Sequence, residues 1–257
     1  MKSFQRYAEY YDLIYHDKDY EKECDFIEEA FRRFSPHPVK SILDGGCGTG
    51  GHAIPLTRRG YEITGIDNSE AMIKHAKSKA EKEQVNVDFQ VGDIRKFNLN
   101  KKFDACICMF AVMDYITNTE ELIQCLGNIA RHLKESSLFI FDFWNGAAVL
   151  RILPSVRVKV SQNEELRIVR VAEPELDAFN HLCHVHYRLI INQGSTLINE
   201  ILETHTVRYY FPQEIAHYLE DGGFEVLSTC PFLNLDGKVD EKIWNAATIA
   251  RVVQESI

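Results

Sequence analysis

Acids standing one step past apolar runs are the positions where this sequence can do chemistry. Asp44 follows the run at 39–43, Asp67 ends Thr64-Gly65-Ile66-Asp67, and Asp93 stands in Val91-Gly92-Asp93-Ile94. Behind Asp44 comes the stretch Gly45-Gly46-Cys47-Gly48-Thr49-Gly50-Gly51. Gly46, Gly48 and Gly50 let the backbone turn tightly and approach a ligand without interference from a Cβ. A helical stretch opening near Gly51 would offer free N–H groups to a carboxylate or phosphate. Asp44 can accept a hydrogen bond from an ammonium group. Acid and helix N-terminus together suit the zwitterionic end of an amino acid.

The other two acids extend that ligand. Asp67 can accept both hydroxyls of a ribose, with Asn68 and Met72 beside it in the same set. Asp93 can pair with the exocyclic amine of adenine while Ile94 packs on the ring. Met109 and Phe110 would close the site next to a reacting sulfur. An amino-acid end, a ribose, an adenine and a sulfur describe S-adenosyl-L-methionine.

These acids need a scaffold that brings strand ends together. Residues 1–140 alternate strand and helix signals, with strands expected over 39–43, 62–66, 87–91, 105–109 and 138–141. Helices are expected over 52–59, 69–83 and 119–133, the last two capped by Ser69 and Asn118. That pattern predicts a parallel sheet flanked by helices, with its ligand at the C-terminal strand ends. After Trp144 the pattern becomes short alternating bursts at 156–160, 166–172, 182–191 and 197–210, an antiparallel meander. A helix at 212–220 and strands at 224–229 and 246–252 return the chain to the sheet. The reading is one domain, 1–257: a helical leader (1–38), a cofactor core (39–144), an acceptor-side insert (150–210) and a closing segment (211–257).

Composition narrows the partners. A formal charge of −9 disfavours a nucleic-acid partner, which requires a basic footprint. No apolar run is long enough to span a membrane, and Met1–Tyr7 shows no apolar segment of a secretory signal. The seven cysteines include no CxxC and read as buried thiols of a cytosolic protein. His184 and His186 share a strand face but lack a third ligand, so no metal site is expected. A small-molecule acceptor and a monomer or homodimer fit best.

Gly46-x-Gly48-x-x-Gly51, with Asp67 about 20 residues on, also satisfies the dinucleotide fingerprint. Asp44 would sit badly near a pyrophosphate, however, and the late strand pair points away from a nicotinamide-dependent oxidoreductase. A non-catalytic module that binds the cofactor is a further alternative.

The glycine motif, Asp67, Gly92-Asp93 and the closing strands resemble the class I S-adenosylmethionine-dependent methyltransferases over about Ser41–Phe143 and again from Pro212. The resemblance implies a Rossmann-like seven-stranded sheet whose last strand is antiparallel, here with an inserted antiparallel β subdomain. It also implies cofactor-binding roles for Asp44, Gly46, Gly48, Gly50, Asp67 and Asp93. Met109-Phe110-Ala111-Val112 is not the Asp/Asn-Pro-Pro-aromatic motif of nucleic-acid amine methylation.

Across nearly the whole chain there is a closer similarity to nucleotide-aminosugar N-methyltransferases. It is carried by Tyr11-Asp12-Leu13-Ile14-Tyr15, Lys18-Asp19-Tyr20, Met109-Phe110 with Tyr115, Asp142-Phe143-Trp144, and Glu203-Thr204-His205 ahead of Gln213-Glu214. Tyr15 would cover the cofactor and touch the acceptor, Trp144 would stack on a sugar face, and His205 would act as base or positioning group. Asp114 and Asn145 depart from that family's pattern and are expected to reshape the acceptor pocket. Arg157, Lys159, Arg167, Arg170 and Arg208 are candidates to meet a diphosphate.

Overall fold

The computed structural model describes residues 7–253, so positions 1–6 of the expected leader and 254–257 of the closing segment lie outside the described residues. Tyr7–Tyr10 form a 3-10 turn, followed by the one-turn helix α1 (Tyr11–Ile14) and by α2 (Tyr20–Phe34). The leader is thus not one helix. It breaks at 15–19, where Asp19 accepts the Lys22 N–H at 3.0 Å and starts α2 afresh.

β1 (Ser41–Gly45), α3 (Ala53–Arg58), β2 (Glu62–Asp67), α4 (Glu70–Lys82), β3 (Asp88–Val91) and β4 (Phe103–Cys108) then alternate. α5 (Thr119–Arg131), β5 (Leu133–Trp144) and α6 (Gly146–Ile152) lead to β6 (Arg157–Gln162), β7 (Arg167–Asp177), β8 (Leu182–Gln193) and β9 (Thr196–Arg208). α7 (Pro212–Asp221), β10 (Phe224–Pro231) and β11 (Asn245–Val252) close the chain. The expected caps are made: Ser69 accepts from Met72 N and Asn118 from Glu121 N.

The main sheet has seven strands in the order β10-β11-β5-β4-β1-β2-β3. All of its pairs are parallel except those of β11, which runs antiparallel to both β10 and β5. Strands covered on both faces read as continuous apolar runs, and Ile42, Leu43, Cys106, Ile107 and Leu138 to Phe141 are fully buried. One face packs under Ile27 and Phe31 of α2, Leu56 of α3 and Ile73 of α4. The other packs under Leu122 and Leu126 of α5 and Leu219 of α7. All seven cysteines are free and buried.

β6-β7-β8-β9 form a separate antiparallel sheet. Its inner face sets Ile168, Leu189, Ile191 and Ile201 against Tyr7, Tyr11 and Ile14 of the leader and Met72 of α4. β7 runs past the expected end at Ala172, through Pro174, to Asp177. Pairing with β6 stops at Ala172, so Pro174 sits where β7 has only β8 as a neighbour and its missing N–H costs no ladder bond. α6 and a 3-10 turn at Met113–Tyr115 were not expected from the sequence pattern. Among the described residues, no helix is long and apolar enough to cross a membrane.

Candidate active site

A cavity of about 1100 Å³ lies at the C-terminal ends of the parallel strands, where open α/β sheets hold their ligands. Of the residues singled out from the sequence, Gly46, Gly48, Asp67, Asn68, Met72, Asp93, Ile94 and Met109 line one half. Tyr15, Trp144 and His205 line the other. Asp44 and Gly50 lie behind the wall: Asp44 is 1% exposed, and a Cβ on Gly50 would meet Phe89 at 2.8 Å.

The glycine turn is fixed from beneath by β2. Gly46 N and Cys47 N donate to Ile66 O at 2.7 and 3.0 Å, Gly48 N to Asp67 Oδ2 at 3.0 Å, and Gly50 N to Cys47 O at 2.9 Å. These N–H groups are therefore spent inside the protein, and α3 begins only at Ala53. The helical turn behind it opens with Ile54 N donating to Gly50 O at 3.0 Å. What the turn offers is room, because a Cβ on Gly48, at φ +53°, would touch nothing within 4 Å.

Burial pushes the Asp44 carboxyl up to about 6, against the opposing pull of His52. Its Oδ2 has no hydrogen-bond partner, a costly state for a buried carboxylate. An ammonium group brought over the turn would relieve that cost, so this corner fits the amino-acid end of the expected cofactor. Asp67 accepts from Gly48 N and from Ser69 N at 2.8 Å, which leaves each oxygen a second lone pair for a ribose hydroxyl. Burial raises its pKa. Asp93 is instead gripped by Arg95, through Nε at 2.9 Å and Nη2 at 2.7 Å, and held below the usual carboxylate range. Arg95 also reaches Glu121 at 2.5 Å, tying the expected adenine corner to α5.

Between the halves, Phe110 and Ala111 both adopt positive φ, +72° and +57°, a strained state for residues with a Cβ. The Asp142 carboxylate holds them, accepting Phe110 N at 2.5 Å and Ala111 N at 3.1 Å. Burial lifts Asp142 to about 6. This residue was read only as part of a motif. An acid between Phe141 and Phe143 in an apolar strand was the signal of a specific partner.

The other half, where the acceptor is expected, is aromatic: Tyr7, Tyr11 and Tyr15 of the leader, Phe110, Tyr115, Trp144, and Tyr187 of β8. Tyr187 had no sequence signal beyond its type. Tyr15 OH accepts from Arg170 Nη1 at 2.9 Å, and its ring meets that of Phe110 edge-on at 5.2 Å. His205, 2% exposed, lies between Tyr115 OH at 3.0 Å and Glu203 Oε2 at 3.1 Å.

Asp114 and Asn145 stand behind the wall of this half: Asp114 accepts Trp144 N at 3.0 Å from within the core, and Asn145 caps α6 through Ala147 N. The expectation for the basic residues of the insert is corrected. Arg208 is buried against Glu214, Tyr218 and Thr119, Arg170 lies behind Tyr15, and Lys159 pairs with Asp17. Arg157 and Arg167 are exposed on β6 and β7. None of the five lines the cavity.

Comparison with known proteins agrees with this architecture. Residues 42–136 match the model of a methyltransferase domain family. The chain is 30% identical over 208 residues to the dTDP-3-amino-3,4,6-trideoxy-alpha-D-glucopyranose N,N-dimethyltransferase of Streptomyces venezuelae, covering 73% of this chain and 85% of that one. It is 26% identical over 219 residues, 84% of each chain, to the dTDP-4-amino-2,3,4,6-tetradeoxy-D-glucose N,N-dimethyltransferase of Saccharopolyspora spinosa. Among solved structures, an S-adenosylmethionine-dependent methyltransferase of Clostridium acetobutylicum superposes with a TM-score of 0.80 at 24% identity, over 95% of this chain and 96% of its own. With its strand order, glycine turn and acids at the strand ends, the chain belongs to the class I S-adenosylmethionine-dependent methyltransferases.

Proposed function

We propose that the acceptor is the amine of a small polar molecule, in its sharpest form an amino sugar carried on a nucleotide. The observation that carries this reading is the acceptor half of the cavity, an aromatic chamber with His205 in its wall, in a chain similar to three enzymes named as N,N-dimethyltransferases of dTDP-linked amino sugars.

In this reading Asp67, Asn68 and Met72 hold the ribose side of S-adenosylmethionine. Asp93 and Ile94 hold the adenine, and Asp44 with Gly46 and Gly48 holds the amino-acid end. The cofactor supplies a methyl group already activated on a sulfonium. What remains for the protein is to align the acceptor, exclude water and keep the amine neutral. Tyr15 and Trp144 would hold the sugar between their rings, and His205 would help to take up the proton of the ammonium form. The net charge of −9 supports a small molecule over a nucleic acid.

Incubation with methyl-labelled S-adenosylmethionine and dTDP-linked amino sugars, read by mass spectrometry, tests the proposal. Label on the sugar nitrogen is expected. Label on none of them, with cofactor binding intact, removes the aminosugar acceptor.

A further inference from the structure

An antiparallel sheet that packs on one side alternates apolar residues inward with polar residues outward. The small sheet departs from that rule. Ile168, Leu189, Ile191 and Ile201 point inward, and on β6 the buried Ser161 turns inward to Ile14 O. By the two-residue period of a strand, Val158, Val160, Val169, Val171, Ile190 and Leu202 then point outward. The register lays them in two adjacent rows. Val158 opposes Val171, which opposes Arg188, which opposes Leu202; Val160 opposes Val169, which opposes Ile190, which opposes Glu200. Val158 is 63% exposed, Val160 48% and Leu202 71%, so among the described residues no other element covers them.

Charge and size say what fits this face. The chain carries a formal charge of −9, so most of its surface repels a second copy. These two rows are neutral, because their charged residues are Arg188 and Glu200, paired Nε to Oε1 at 2.5 Å. A strongly charged partner or an anionic membrane finds no opposite charge to hold it here. A twofold contact brings the same patch of each copy together, and the patch must complement itself. Valines against valines meet that condition, and Arg188 and Glu200 meet it by pairing across the copies as well as within one. Strands lie about 4.8 Å apart and rise about 3.4 Å per residue, so the two rows and those flanking them span about 500 Å² on each copy. Two such faces bury about 1,000 Å², the lower bound of a specific interface.

We propose that the outer face of β6–β9 is the interface of a homodimer, the two small sheets packed face to face about a twofold axis. Tyr187 and His205 alternate with the outward residues and stay turned to the cavity. The second copy therefore backs the wall that these two side chains help to form. This interface does not depend on which molecule accepts the methyl group.

Sedimentation equilibrium of the full chain over about 1–300 µM tests the dimer. A dissociation constant on the order of 10 µM is expected for an interface of this size. Val160→Asp on β6 and Leu202→Asp on β9 each place a carboxylate in the apolar contact and are expected to weaken it at least about 30-fold. Both positions are exposed in the single chain, so the Kd for S-adenosylhomocysteine should stay unchanged, which also certifies the fold. An unaltered chain that stays monomeric to the highest concentration overturns the proposal. So does a dimer that survives Leu202→Asp, since it is then joined through the free edge of β6 or through another face.

Discussion

The two halves of the cavity are built in opposite ways. The half read as the cofactor's is a set of strand ends and turns held through backbone groups: the Asp67 carboxylate accepts from Gly48 N and Ser69 N, and the backbone Ile66 O accepts from Gly46 N. The acceptor half is side chain on side chain, with rings from the leader, the turn after β4, the end of β5 and the separate sheet. Geometry fixed through backbone belongs to a cofactor shared across a family. Geometry fixed through ring packing can be altered one residue at a time. Asp142 joins the halves by holding the turn that both of them share.

Breaking that joint should have the largest effect. Asp142→Ala strips the acceptor from two N–H groups in a strained turn, and a loss of about 3 kcal/mol is expected. Urea unfolding would register it, and an unchanged midpoint would show that the turn stands without the carboxylate. Asp67→Ala should separate the halves: cofactor Kd weakens about 30-fold, equivalent to about 2 kcal/mol, while the protein stays folded. Calorimetry with S-adenosylhomocysteine checks this, and an unaltered Kd removes Asp67 from the cofactor site.

The smallest effect expected is a pH dependence from Asp44. Its pKa of about 6 in the folded chain lies above the usual value of about 3.9. In the ligand-free protein it therefore contributes stability that is full below about pH 4 and lost as pH rises through 6. Binding an ammonium requires the ionised form, so cofactor affinity should fall about tenfold per unit below pH 6. In Asp44→Asn the affinity should be weaker and flat over that range. A slope that persists in the variant assigns the titration to another group.

The cofactor half was legible because its signals are local. Ser69 and Asn118 cap helices three residues away, and the glycine turn lies within a few residues of Asp44. What sequence could not convey was that the Gly46 and Gly48 N–H groups donate to Ile66 and Asp67, since register between β1 and β2 decides it. In the acceptor half the decisive contacts are remote: Tyr115 meets His205 across 90 positions, and Tyr15 meets Arg170 across 155. Motif resemblance drew attention to Tyr15, Trp144 and His205. It could not say that Arg208 is buried by Glu214 or that Asn145 serves as a cap.

The small sheet leaves the core at Trp144 and returns at Tyr210, where the two stretches lie side by side. Tyr210 N donates to Trp144 O at 3.0 Å, Gly146 N to Tyr210 O at 2.8 Å, and Asn145 and Tyr210 form an isolated bridge. A segment whose ends meet can be lengthened, shortened or exchanged without parting the strands that flank it. In terms of inheritance, the small sheet's share of the wall, Tyr187 and His205, is a transplantable unit on the frame of the main sheet. Rewriting that one stretch would change Tyr187 and His205, while the rings of the leader and of the turn after β4 stay in place.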